Sequence, residues 1–148
     1  MTNQNERKVA DTVNNRKFDC LYEARELALY TVKICSNDNT FPLQFYQTMT
    51  SDLVSKAKDI YRLGRRANET YISTNLNVVE LRKQYAIRSG LQRQAIFMCI
   101  DLISDIDIAK SLFKLRGKRV KFWVGKVIKV KNLMIAWYKA EKEKYSKI

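Results

Sequence analysis

The chain carries very little to turn with. Its 148 residues include one proline, Pro42, and four glycines, at positions 64, 90, 117 and 125. An antiparallel β fold needs turn residues every 8–12 positions or so. A chain this poor in them has to be built from long helices with few connections. Three breaks stand out: Ser36-Asn-Asp-Asn-Thr40 followed by Phe41-Pro42, Ile72-Ser-Thr-Asn75, and Leu115-Arg116-Gly117. Pro42 fits the first turn of a helix and not its interior. Gly117 is expected as the left-handed residue that ends the third helix.

Between the breaks, apolar residues recur at three- and four-residue steps. The spacing predicts helices over about 17–36, 45–73, 77–113 and 118–144, joined by short connections. That pattern is an all-α, antiparallel up-down-up-down four-helix bundle. Residues 17–148 read as its single domain, and residues 1–16 as a flexible polar tail. In the first helix, Phe18, Leu21, Ala24, Ala28 and Thr31 are taken as one face, with Tyr22, Leu29, Val32 and Cys35 on other sides. A helix apolar on more than one side is buried on two sides, in a core or in an oligomer. In the second, small residues at 57, 64 and 67 allow a neighbouring helix to come close. The third carries Val78, Leu81, Tyr85, Gln92, Ile96, Cys99, Ile103 and Ile106 as a stripe, with Leu102, Ala109 and Phe113 beside it. Ser89, Gly90 and Gln92 give it a polar midsection where a kink or a wet contact is expected.

The last helix superimposes two patterns. Val120, Trp123, Val127, Val130, Met134 and Trp137 follow one face, with both tryptophans read as core anchors. Lys118, Arg119, Lys121, Lys126, Lys129, Lys139 and Lys144 fall between them, mostly on the opposite side. Lys131 projects inside the apolar stripe. It either snorkels at the stripe edge or pairs with Asp101 or Asp105 of the antiparallel third helix.

Charge is the strongest functional signal. Lys and Arg number 28 against 15 Asp and Glu, a net charge of +13. Such an excess implies a polyanionic partner. Chemistry, by contrast, is sparse. The chain has no histidine, so the commonest general base and the usual metal ligand are missing. Cys20, Cys35 and Cys99 are far apart and lack metal or disulfide spacing. No glycine-rich phosphate loop is present. Asp101, Asp105, Asp107, Glu23, Glu26, Asp59 and Glu80 lack the Glu-x-x-His companion of a di-iron bundle. The expectation is a protein with no enzymatic activity, no cofactor, no metal and no small-molecule substrate. No apolar run approaches the roughly 20 residues of a membrane span. The polar first residues resemble no secretory signal, so a cytoplasmic location without membrane contact is expected.

Antiparallel order gathers the basic residues at one pole of the bundle. Arg62, Arg65, Arg66, Arg82, Lys83, Lys139 and Lys142 fall there, and with Arg88 they form the expected phosphate-contacting set. The partner at such a pole is RNA, DNA or a hybrid; a basic bundle that docks only another protein is the alternative.

The order of features is also similar to a known family. A polar turn and Phe41-Pro42 follow the first helix, and the second ends in Asp59-Ile-Tyr-Arg-Leu-Gly-Arg-Arg-Ala-Asn68. The third carries Cys99-Ile-Asp-Leu-Ile103, and the fourth Met134-Ile-Ala-Trp-Tyr-Lys139. Over about residues 18–144 this resembles the accessory variability determinant proteins of diversity-generating retroelements. Those belong to a wider bacterial superfamily of four-helix bundles that includes proteins encoded in intervening sequences of 23S ribosomal RNA genes. The sequence departs from the pattern at Trp137, which Tyr138 follows where a basic residue is expected. The resemblance implies a basic homo-oligomer, typically a pentameric ring. It also implies association with the element's reverse transcriptase and template RNA in support of mutagenic cDNA synthesis. A stand-alone bundle of the ribosomal intervening-sequence type remains the other implied reading.

Overall fold

The computed structural model describes residues 4–73 and 75–147, with side chains described from Lys17 onward. The described residues form four long helices and no strand: α1 (Gln4–Cys35), α2 (Ser51–Glu69), α3 (Val78–Phe113) and α4 (Gly117–Tyr145). A short 3-10 turn, Leu43–Phe45, and a π turn, Tyr46–Thr50, lead into α2. No helix among the described residues is long and apolar enough to cross a membrane.

Two boundaries differ from the sequence expectation. α1 begins at Gln4, so most of the segment expected as a polar tail is helical backbone. Extending a formed helix fixes one residue per hydrogen bond, whereas nucleation fixes three, and no breaker interrupts residues 4–16. The remainder of that expectation, residues 1–3 and the side chains of 4–16, lies outside the described residues. The second difference is the α3–α4 junction. Lys114, not Gly117, adopts the left-handed conformation (φ 52°, ψ 49°) that caps α3. Its amide and that of Leu115 both turn back to the Lys110 carbonyl. Gly117 instead opens α4 behind an extended Arg116.

The first break works as its composition suggests. Asn39 donates its amide to the Asn37 side chain at 3.1 Å, and Phe41 donates to the Asn37 carbonyl at 2.8 Å. The turn drives Phe41 into the core, edge-on to Phe113 at 5.1 Å and to Trp123 at 6.4 Å. At the second break, Asn77 caps α3 by accepting the Glu80 amide at 2.9 Å.

Each helix packs against two others: α1 on α2 and α4, and α3 on α2 and α4. Across α1 and α4, Cys20 meets Met134, Glu23 meets Lys129, and Thr31 meets Trp123. Partner numbers therefore run in opposite senses. The α4 stripe is fully interior from Val120 to Trp137. Trp123 donates to the Thr31 hydroxyl at 3.1 Å, and that hydroxyl donates on to the Leu27 carbonyl at 2.8 Å. Gly64 is where α2 admits its neighbours. A Cβ there would stand 3.1 Å from Leu21 and 3.3 Å from Met134.

The inner faces of α1 and α3 are rotated from their expected positions. Cys20, Ala24, Leu27, Thr31 and Cys35 face the core, while Phe18 is exposed. Steps of three fall short of a helical turn by about 60° each, so Phe18 and Ala24 cannot share a face. On α3 the fully buried positions are Gln92, Ala95, Cys99, Leu102, Ile106 and Ala109; Ile96 and Ile103 flank them, and Val78 is exposed.

A non-glycine residue in the left-handed region carries strain of about 1 kcal/mol. Lys114→Gly is expected to stabilise the protein by up to about that amount. Urea denaturation would show a higher midpoint with an unchanged slope.

Candidate nucleic-acid interface

Glu141 continues the α4 stripe one turn past Trp137, and it is buried at 3% exposure. A carboxylate there needs partners, because an uncompensated interior charge costs several kcal/mol. It has three. Arg88 of α3 grips it through Nε (3.0 and 2.8 Å) and Nη2 (2.5 Å). The Gln92 amide donates at 3.0 Å and the Trp137 indole at 2.7 Å. Arg88 also donates through Nη1 to the carbonyl of Thr70, the residue that caps α2, at 3.2 Å. Its guanidinium lies 5.4 Å from the Trp137 ring centre. Lys17 of α1 sits in the same field. Burial lowers its pKa, the Arg88 charge lowers it further, and Glu141 opposes them. One ion pair thus ties the end of α2, the first third of α3 and the last turns of α4, with α1 alongside.

This network explains the polar midsection of α3. α3 is one continuous helix through Ser89, Gly90 and Gln92. Gln92 is polar because it faces Glu141. Arg88 is corrected accordingly: its side chain is largely enclosed and its donors face inward, so phosphate cannot reach it without breaking the Glu141 pair. Of the two readings of Lys131, the ion pair with Asp101 or Asp105 is not formed. Asp105 is held by Lys56 of α2, and Lys131, half-buried, forms no ion pair among the described residues.

The other expected phosphate contacts are exposed. Arg65, Arg66, Arg82, Lys83, Lys139 and Lys142 each lie within two helical turns of Thr70, Arg88 or Glu141. Arg65 is held along its own helix by the Tyr61 hydroxyl (3.2 Å) and Glu69 (3.1 Å). Arg62 lies further back on α2 and pairs with Asp59 at 3.0 Å. The cations at this end outnumber the nearby exposed carboxylates Glu69, Glu80 and Glu143. The tyrosines of this end divide. Tyr85 packs on Tyr145 with ring centres 5.1 Å apart, whereas Tyr71 is 77% exposed.

Reactive groups are few. All three cysteines are buried, and burial pushes each thiol up to about 12. A thiol so shifted is neither nucleophile nor metal ligand near neutrality. Among the described residues, no group of three Cys, Asp or Glu gathers where a metal ion could be held.

The sequence signal for the network was Glu141 itself, a carboxylate at a stripe position where Val130, Met134 and Trp137 set the register. No protein-family model, curated protein or solved structure matches the chain.

Removing Arg88 leaves Glu141 buried without its cation. Arg88→Met is expected to cost about 3–5 kcal/mol, measured by urea denaturation. Adding Glu141→Gln to the same chain should recover part of the loss, because it removes the stranded charge.

Proposed function

We propose that the protein is a non-catalytic, nucleic-acid-binding accessory factor that works beside a reverse transcriptase, as in a diversity-generating retroelement. In this reading it holds template RNA, or the cDNA made from it, during mutagenic synthesis in the cytoplasm. The observation that carries the reading is the basic end of the helices. There Arg66, Lys83, Lys139 and Lys142 are exposed around a buried ion pair. Exposed Lys and Arg on a fixed frame suit phosphate contacts that carry no base sequence. The reading takes the helices in alternating up-down order. The opposed numbering of the α1–α4 contacts supports that order, as do the Lys56–Asp105 and Thr70–Arg88 contacts taken together between α2 and α3.

The same reading includes self-association, for which the resemblance suggests five subunits. Support comes from α1, whose outer side carries Phe18, Tyr22, Leu29 and Val32, all exposed, at steps of four, seven and three. That spacing is the seam of one helix laid along another.

Two measurements test these statements. RNA affinity should fall steeply with salt. Replacing Lys83, Lys139 and Lys142 together by Glu should lower the log–log slope by about 2, at roughly 0.7 per lost contact to a single strand. A flat salt response in the unmodified protein would remove the nucleic-acid role and favour a protein-docking bundle. A neighbouring reverse-transcriptase gene, whose product co-purifies with this chain, would separate the retroelement role from a stand-alone bundle. For assembly, Phe18→Glu with Tyr22→Glu should reduce the native mass to that of one 17.4 kDa chain, read by light scattering.

A further inference from the structure

Between α2 and α3 lies an open groove of about 340 Å³ that has Arg66 of the basic end among its lining residues. Four α2 residues line it at one-face spacing: Asp59, Arg62, Leu63 and Arg66. Four α3 residues line the other wall at the same spacing: Gln94, Phe97, Met98 and Asp101. Its size is at the low end of the roughly 300–1,000 Å³ of small-ligand clefts.

The groove is divided by charge and polarity. Leu63 and Met98 give it apolar surface, and Phe97 is 64% exposed beside them. Asp59 and Arg62 neutralise each other at 3.0 Å. That leaves one cation and one anion without an ion pair among the described residues: Arg66 on α2 and Asp101 on α3. An open carboxylate repels a continuous phosphate backbone, so the groove is no track for a strand. It fits something smaller with a flat apolar body, an anion at one place and hydrogen-bond donors at another. A nucleotide has that form: a base that stacks, a phosphate, and an edge of N–H groups.

We propose that this groove seats one splayed nucleotide of a single strand, with its base on Phe97, its donor edge toward Asp101 and a flanking phosphate on Arg66. The assignment rests on the nucleic-acid reading above and adds a base preference to it. A carboxylate offers only acceptors. Guanine presents two adjacent donors, the ring N–H and the exocyclic amine, and can engage both carboxylate oxygens. Uracil presents one N–H flanked by carbonyls that a carboxylate repels. Guanine is therefore the preferred occupant.

The test measures fluorescence anisotropy of the full chain with labelled 12-mer RNAs, all-uridine or uridine with one central guanosine. The single guanosine should tighten binding several-fold. Asp101→Asn should abolish that difference and leave all-uridine affinity unchanged or slightly improved. Phe97→Ala should weaken the guanosine strand by roughly five- to a hundred-fold, the effect of losing one base–aromatic stack. Both side chains are exposed, so neither variant removes core packing. Equal binding of the two strands by the unmodified chain, a guanosine preference that survives Asp101→Asn, or an unchanged affinity of the guanosine strand in Phe97→Ala overturns the groove assignment while salt-dependent RNA binding keeps the broader reading. Absence of binding to either strand overturns both. Guanosine monophosphate alone, if it binds as tightly as the strand, overturns the single-strand occupant in favour of a free nucleotide.

Discussion

A buried carboxylate decides how one end of this protein is assembled. Glu141 cannot be interior unless Arg88, Gln92 and Trp137 surround it, and those three lie on two different helices. Hydrophobic contacts alone would let α4 slide or rotate by small amounts along α3, because methyl and methylene groups are nearly interchangeable. The Arg88 fork accepts one register only, since two of its nitrogens must meet two oxygens. Its remaining donor then fixes the end of α2 through the Thr70 carbonyl. The Trp137 ring beneath the guanidinium adds a second geometric condition. Setting of helix register is the best-attested use of a buried polar group.

At the other end, order comes from aromatic packing. Phe41, Phe113 and Trp123 meet edge to face, and Phe45 closes on Phe113 at 5.8 Å. The Asn37 turn delivers Phe41 there. The two ends therefore specify the same helices by different means, ionic at one and apolar at the other. At the ionic end, the frame fixed by the Glu141 pair carries the exposed Lys83, Lys139 and Lys142.

Much of this was legible in the sequence. The scarcity of proline and glycine gave the helices, and the α4 stripe from Val120 to Trp137 is buried as its spacing requires. The errors have physical causes. Reading α1 in steps of three placed Phe18 inside, although the true turn is 3.6 residues and turns that side chain to solvent. Taking Gly117 as the helix stop ignored that Lys114 can enter the left-handed region at modest cost. The polar Ser89–Gln92 stretch looked like weakness because its partner lies 49 residues away in sequence, at Glu141. Arg88 reads as a surface cation in the sequence for the same reason, its carboxylate partner lying 53 residues away. A local pattern records that a position is polar; whether water or a buried carboxylate satisfies it depends on which helix arrives opposite.

The short length of α2 has its own consequence. α2 has 19 residues and α3 has 36, about 28 Å against 54 Å at 1.5 Å per residue. The Arg88 contact with Thr70 places the end of α2 level with the eleventh residue of α3. Roughly the first 15 Å of α3 therefore run beyond α2. Cooperativity in such a molecule is graded along its axis. Val78, Val79 and Ile87 are exposed there, and Tyr85 holds the segment to α4 through Tyr145, the setting in which backbone amides open more readily than in a core. The Arg88 clamp marks where that segment ends and the part of α3 flanked by both α2 and α4 begins.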